Sequence, residues 1–260
     1  MSHHRFFLTE PLPDEPGPVE LPLTPADVHH ITRALRLGPG DEIVVVEPGG
    51  GASLVRLLSG GHESCVAEVV EALGDSGYVP DVTLIAGVAK GDKTDLAIEK
   101  AVETGVARVV PVLTERSVVR LTAEKAVARG ERWRRVALAA AKQSQRTSVP
   151  PVADPVPLGH ILDELEATYD VVLVAWEEGA DTAPGIGEAL DEAGVTSASR
   201  VAIVVGPEGG LTAGEVYDLE RAGARAVSLG STVLRAETAG IVAVALVAYE
   251  LGGLGGRRRG

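Results

Sequence analysis

Two late stretches restrict the fold more than any other part of the chain. The apolar run Val201-Ala-Ile-Val-Val205 stops at Gly206-Pro-Glu-Gly-Gly210, and the run from Val227 to Leu229 stops at Gly230. Each glycine loop leads into a helix. The first helix opens on Thr212 with Glu215 three residues later, the signature of a capping box. The second, over residues 238–251, is nearly all Ala, Val, Leu and Ile, and a helix apolar on every side must be buried on every side. Short apolar strands that end in glycine and turn into helices build a parallel sheet covered on both faces. Two such loops at the carboxyl ends of two successive buried strands form a crevice where main-chain amides can face a small ligand.

The same alternation extends upstream. Strands are expected at residues 82–88, 108–113 and 170–176, and helices at 92–104 (stopped by Gly105), at 122 to about 146 and at 186–193. Before them, residues 74–80 have linker composition, and residues 1–77 read as a small β-rich unit with strands near 41–46, 52–58 and 65–70 and a glycine turn at 48–51. One helix interrupts that unit. Thr24 caps it, Pro25 occupies its first position, and it is expected to run to Gly38 with Arg33 and Arg36 on one face. The expected domains are therefore residues 1–77 and 78–260.

Charge is unevenly spread. The chain carries a net −13, yet residues 90–147 hold 13 basic against 7 acidic side chains. A basic block inside an acidic protein is either a solvated helix face or a footprint for nucleic acid. Cys65 is the only cysteine, which excludes an internal disulfide framework and a thiolate metal cluster and fits a reducing cytoplasm. The adjacent His29 and His30 diverge by about 100° on a helix, so they do not converge on a metal. The longest apolar run, residues 241–248, is too short to span a bilayer, and the N-terminus lacks the apolar core of a signal peptide.

No Lys-Ser or Lys-Thr follows the first glycine loop, so it is not a phosphate-cradling Walker loop, and the Gly-x-Gly-x-x-Gly fingerprint of a nicotinamide enzyme is absent. No Ser-His-Asp set stands out. Arg235, Glu237 and Thr238 open the last helix, where an acidic group complements the helix dipole, and Glu208 sits between glycines. Residues alone thus reach an α/β domain with a ligand crevice, a basic helix and a β-rich appendage.

A resemblance goes further. His30-Ile-Thr-Arg-Ala-Leu-Arg-Leu-Gly-Pro-Gly-Asp41, Lys90-Gly-Asp-Lys93, Glu99 to Gly105, Val110 to Ser117, Arg132-Trp133, Ala139 to Arg146, Gly206 to Gly210 and Leu229 to Ala239 occur in the order found in the RsmE family of ribosomal RNA methyltransferases. That family lies in the SPOUT (trefoil-knot) superfamily, and the resemblance covers nearly the whole chain. It implies a PUA-like β-barrel followed by a knotted α/β methyltransferase domain. It also implies S-adenosyl methionine as methyl donor, a homodimer, no metal and no membrane. The implied reaction is methylation of uridine N3 at position 1498 of 16S rRNA in the small ribosomal subunit.

Residue by residue, Gly206, Glu208, Gly209 and Gly210 match the first cofactor loop, and Leu229, Gly230, Leu234, Arg235 and Ala236 match the second. Uridine N3 must lose a proton, which nearby positive charge or a carboxylate favours. Arg146 is the candidate that stabilises the anion, and Glu208 or Glu237 the base. Arg33, Arg36, Lys90, Lys93, Arg116, Gln143 and Arg146 are the expected RNA contacts. Two positions depart from the pattern: Lys142 stands where relatives often carry an acid, and Gln145 replaces a frequent glycine. Alternatives are a SPOUT enzyme acting on another RNA position, a non-catalytic rRNA-binding protein of this fold, and a nicotinamide-dependent oxidoreductase.

Overall fold

A computed structural model describes residues 3–13, 16–48, 50–61, 63–74, 79–179 and 182–256. Gly49 of the expected turn, residues 75–78 of the expected linker and the basic tail 257–259 lie outside the described residues. The chain divides into two compact units, Met1–Tyr78 with Ala141–Val149, and Val79–Ala140 with Pro150–Gly260. A single boundary between residues 77 and 78 does not anticipate that residues 141–149 pack with the first unit.

The first unit is a five-stranded sheet in the order β1-β3-β4-β5-β2, with β1 Arg5–Phe7, β2 Val19–Glu20, β3 Glu42–Val46, β4 Ala52–Gly60 and β5 Cys65–Gly74. Register shifts along β4 and β5 bend the sheet. Thr9, just after β1, donates its amide to the carbonyl of Pro22, just after β2 (2.8 Å), and the unit has a core that includes Phe6, Ile31, Ile43, Val55 and Leu57.

The helix of this unit departs from expectation. Thr24 caps α1 (Pro25–His29) as its sequence requires, but residues 30–34 widen into a π-turn, and Arg36 adopts φ 57 beyond it. The amide of Leu37 returns to the carbonyl of Ile31 (2.9 Å), which ends the helix before Gly38. Arg33 and Arg36 therefore do not share a helix face. A buried Ile31 anchors the turn, and tertiary packing overrides the simple 3.6-residue period.

In the second unit six strands are all parallel, in the order β11-β9-β10-β6-β7-β8. They are β6 Val82–Gly87, β7 Arg108–Leu113, β8 Val156–Pro157, β9 Val171–Ala175, β10 Val201–Val205 and β11 Ala224–Val227. β6 and β10 are buried at every residue, as central strands covered on both faces must be. The helices are α2 Lys93–Glu103, α3 Ala123–Gln143, α4 Leu165–Thr168, α5 Ile186–Glu192, α6 Ala213–Arg221 and α7 Ala236–Glu250. α6 packs through Val216 and Leu219 into the core formed by Ile85, Val110, Val174 and Val204. β11 stands at one edge of the sheet, and α7 after it packs against β6, β10, α2 and α5.

Two helix ends explain a sequence departure. α2 finishes with the amide of Val106 bonded to the carbonyl of Ala101, around Gly105 at φ 97. α3 finishes in the same way, Arg146 to Ala141 (3.0 Å) and Gln145 to Lys142 (3.4 Å), but the left-handed position is Gln145 at φ 57. This is a Schellman motif, which favours glycine. α3 thus stops at Gln143, and Arg146 lies past its end instead of on it.

Candidate functional site

The site is built where the carboxyl ends of β9, β10 and β11 stand side by side. The β10 loop is a tight turn in which the Gly210 amide donates to the carbonyl of Pro207 (2.9 Å), with Gly210 at φ 70. Its other glycines are demanded by close approach. A Cβ on Gly206 would come within 2.8 Å of the Gly210 backbone, and one on Gly209 within 3.0 Å of Arg116. Across the sheet, a Cβ on Gly87 at the end of β6 would lie 2.4 Å from Pro207, so the turn is seated against the neighbouring strand end.

Polar groups fix the same turn from three sides. Glu208 Oε1 accepts hydrogen bonds from the Lys90 amide and from Lys93 Nζ, both at 3.0 Å. Arg116 Nη1 lies 3.1 Å from each of Glu178 Oε1, the Gly209 carbonyl and the Leu211 carbonyl. Glu215, besides completing the capping box with Thr212, accepts from the Glu115 amide at 2.8 Å. Burial alone would raise the Glu208 pKa, but hydrogen bonds from its own amide, from Lys93 and from Lys90 outweigh it and hold the carboxyl below the usual glutamate value.

The second loop runs from Ser228 to Arg235. The Gly230 amide, at φ 107, donates to Ser228 Oγ (3.2 Å), and a Cβ there would meet nothing within 4 Å. Leu229, Leu234 and Ala236 are half-buried, while Arg235 is the exposed N-cap of α7 and makes no ion pair with Glu237 among the described residues. Glu237 Oε2 is buried with no hydrogen-bond partner. Glu237 lines a small pocket together with Gly87, Lys93, Thr94, Gly206 and Gly240.

A third wall was not singled out from sequence. β9 lies between β10 and β11, so its loop, beginning at Trp176, is flanked by both glycine loops. Trp176 Nε1 is buried without a partner, and Glu177 Oε1 approaches within 3.1 Å of a Cβ built on Gly210. The signal was present, since the apolar run 170–176 also ends in a polar loop containing glycine, but only the strand order makes it a neighbour.

The basic block has other uses than a free surface. Of its 13 basic side chains, Lys93, Lys100, Arg116, Arg132, Arg134 and Lys142 form ion pairs with carboxylates. Lys90 and Gln143 are exposed, as are Arg33 and Arg36. Burial lowers the Arg146 pKa from the ordinary arginine value, and its carbonyl accepts a bond from Arg5 (3.0 Å). Among the described residues no group of three His, Cys, Asp or Glu could hold a metal ion, and no helix is long and apolar enough to cross a membrane.

Comparison with known proteins agrees with this geometry. A family model described as an RNA methyltransferase domain matches residues 78–248, and one described as an RNA methyltransferase PUA domain matches residues 23–70. Ribosomal RNA small subunit methyltransferase E of Bacillus subtilis is 32% identical over 229 residues, 88% of this chain and 89% of that protein. The Synechocystis protein of the same name is 32% identical over 86% of this chain and 71% of its own. The crystal structure of ribosomal RNA small subunit methyltransferase E from Neisseria gonorrhoeae bound to S-adenosyl methionine superposes with a TM-score of 0.80 at 31% identity, covering 95% of this chain and 97% of that one.

Proposed function

We propose that this chain, which belongs to the ribosomal RNA small subunit methyltransferase E family, transfers a methyl group from S-adenosyl methionine to N3 of a uridine in 16S rRNA. The observation that carries the reading is family membership over nearly the full length together with both glycine loops at the same end of the sheet, on β10 and β11 with β9 between them. A binder without catalysis has no use for that crevice, and a nicotinamide enzyme would need the missing fingerprint.

The residues present fit the donor. A buried carboxylate oxygen without a partner, Glu237 Oε2, calls for a positively charged or hydrogen-donating group, and S-adenosyl methionine carries a positive charge on sulfur. When bound, the donor supplies a methyl group activated by that charge. Gly206, Gly209 and Gly210 of the first loop, set in place by Glu208, and Leu229, Gly230, Leu234, Arg235 and Ala236 of the second are the residues that would hold it.

On the substrate side, the uridine N3–H needs an acceptor. Glu208 is held ionised by three donors and is a weak base for that reason, whereas Glu237 has an oxygen to spare. We assign the proton acceptor to Glu237 and a contact with the RNA to Arg146. Arg33, Arg36, Lys90 and Gln143, all exposed, serve as RNA contacts, while Lys93 and Arg116 are engaged by the first loop.

The PUA unit supplies grip on the RNA and the parallel-sheet unit the chemistry. The family resemblance points to position 1498 as the target and to the cytoplasm as the place of work. It also points to a homodimer, and the apolar α7 leaves Leu246 (41% exposed) and Tyr249 (52%) on its surface, a face that a second copy would cover. The test is twofold: calorimetry with S-adenosyl methionine, where heat of binding is expected, and mapping of N3-methyluridine in 16S rRNA from a strain lacking the gene. Retention of the mark in that strain refutes the assigned substrate.

A further inference from the structure

The geometry points to Glu208 as a positioning residue, an electrostatic latch that pins the Pro207–Gly210 turn to the start of α2 and acts on the reaction only through the placement of that turn. The inference rests on the proposed use of the first loop to hold S-adenosyl methionine. It reassigns a carboxylate that sequence alone leaves as one of two candidate bases.

Three observations carry it. First, the carboxylate bonds to a different segment: the Lys90 amide and Lys93 Nζ, each 3.0 Å from Oε1 and more than a hundred residues earlier in the chain. Second, the backbone of the turn leaves no slack. Gly87 meets Pro207 so closely that a methyl group at residue 87 would lie 2.4 Å from it, and Gly206 packs on Gly210. A carboxylate bonded across such a seam sets the height of the turn above β6 and therefore the width of the crevice. Third, the hydrogen bonds that engage Glu208 overcome its burial and hold its acidity above that of a free glutamate. A stronger acid is a poorer proton acceptor, and protonating it would break the seam it closes.

Arg116, bonded to the Gly209 and Leu211 carbonyls, adds a second cation to the hold on the loop, so that side chains from the segments after β6 and after β7 both engage it. A positioning group of this kind changes how tightly the donor is held more than how fast the bound donor reacts.

The sign of the pH dependence follows. The folded pKa of Glu208 is depressed, so the latch is fully present above the ordinary glutamate value and is lost as pH falls through the folded value. Donor affinity of the native chain should fall on that acid limb, and the limb should vanish when the carboxylate is removed.

The experiment compares Glu208→Ala with Glu208→Gln in the full chain. Glutamine keeps an acceptor oxygen for the Lys90 amide but cannot serve as a base. The latch predicts that alanine weakens S-adenosyl methionine binding about tenfold or more in calorimetry while turnover at saturating donor falls less than about threefold. Glutamine should recover part of the lost affinity. Hydrogen exchange at the Lys90 amide, read without donor, should accelerate in Glu208→Ala and be slowed again in Glu208→Gln. Loss of turnover by both variants at unchanged affinity identifies a base and overturns the proposal. Unchanged exchange at Lys90 overturns it too. A native chain that binds no S-adenosyl methionine refutes the function reading alone, because the exchange measurement still decides the latch.

Discussion

Lys142, a departure from the pattern of the family it resembles, has a partner that gives a quantitative prediction. Its Nζ sits 2.6 Å from Asp27 Oδ1 within the first unit, and Asp27 also accepts from Thr24 Oγ1 through Oδ2 at 2.9 Å. Asp27 is 9% exposed. Restoring an acid, Lys142→Glu, would remove the only cation bonded to this carboxylate among the described contacts and set a second carboxylate beside it. Loss of the pair costs about 2 kcal/mol, below the range for fully buried pairs because the lysine side chain is 28% exposed. Repulsion at about 4–6 Å adds about 1–2 kcal/mol at an effective dielectric constant between those of water and a protein surface. The total, about 3 kcal/mol, is a large share of the stability of a small domain. Tryptophan fluorescence does not report on this unit, since Trp133 and Trp176 both lie in the other. The assay is therefore hydrogen exchange of the β3 and β4 amides, where protection should drop by about two orders of magnitude. Lys142→Met should lose about 2 kcal/mol, and adding Asp27→Asn to it should recover most of the loss, because the uncompensated charge is then gone. Exchange rates in Lys142→Glu within a factor of two of native would refute the reasoning.

Gln145→Gly relieves a left-handed backbone at a cost in unfolded-chain freedom, for a net gain of about 0.5 kcal/mol, whereas Gln145→Val, which suits φ 57 least, should lose about 1–2 kcal/mol; exchange protection in the first unit reads both signs. Trp133 is fully buried with Nε1 bonded to Asp95 Oδ1 at 2.9 Å, so Trp133→Phe should cost about 2 kcal/mol from lost volume and a lost charge-assisted bond, measured as a lower urea midpoint followed at Trp176. The proposed homodimer predicts that charges at two exposed positions of α7, Leu246→Lys with Tyr249→Lys, halve the mass seen in sedimentation while leaving the far-ultraviolet spectrum native; an unchanged mass refutes that use of the face.

What was legible in the sequence was whatever a local period or a short-range bond decides. The strands at 82–87 and 201–205 could be read because central parallel strands are apolar at every position. α6 could be read because Thr212 and Glu215 cap it by themselves. What escaped depended on distant partners. β1 and β2 have three and two residues and exist only by pairing with β3 and β5. β8 is likewise two residues held at the edge of β7. The π-turn at residues 30–34 is imposed by burial of Ile31, which no 3.6-residue template contains. In the site, composition announced a basic block, but only the fold revealed that Arg116 and Lys93 spend their charge on a loop about ninety to a hundred and fifteen residues away.

The glycines themselves carry a sharper lesson. A glycine in a loop signals that something comes close, without saying what. In the first loop the answer is the protein: Gly206 is pressed by Gly210, and Gly209 by Arg116. In the second, a side chain at Gly230 would meet nothing within 4 Å, so neither packing nor a neighbouring backbone accounts for it beyond its φ of 107. The two loops are then unequal. The first is buttressed by Glu208 and Arg116 while its Gly206 also lines the pocket that Glu237 lines, and in the proposed reading the second is left to the ligand alone. Substitutions in the first loop should therefore act on the fold as well as on the donor, and those in the second mainly through contact with the donor. Gly206→Ala is thus expected to lower stability and affinity together, and Gly230→Ala to lower affinity with a stability loss limited to its backbone strain of about 1–2 kcal/mol. Calorimetry and urea unfolding on the same two variants separate these outcomes, and equal stability losses at both positions would remove the distinction.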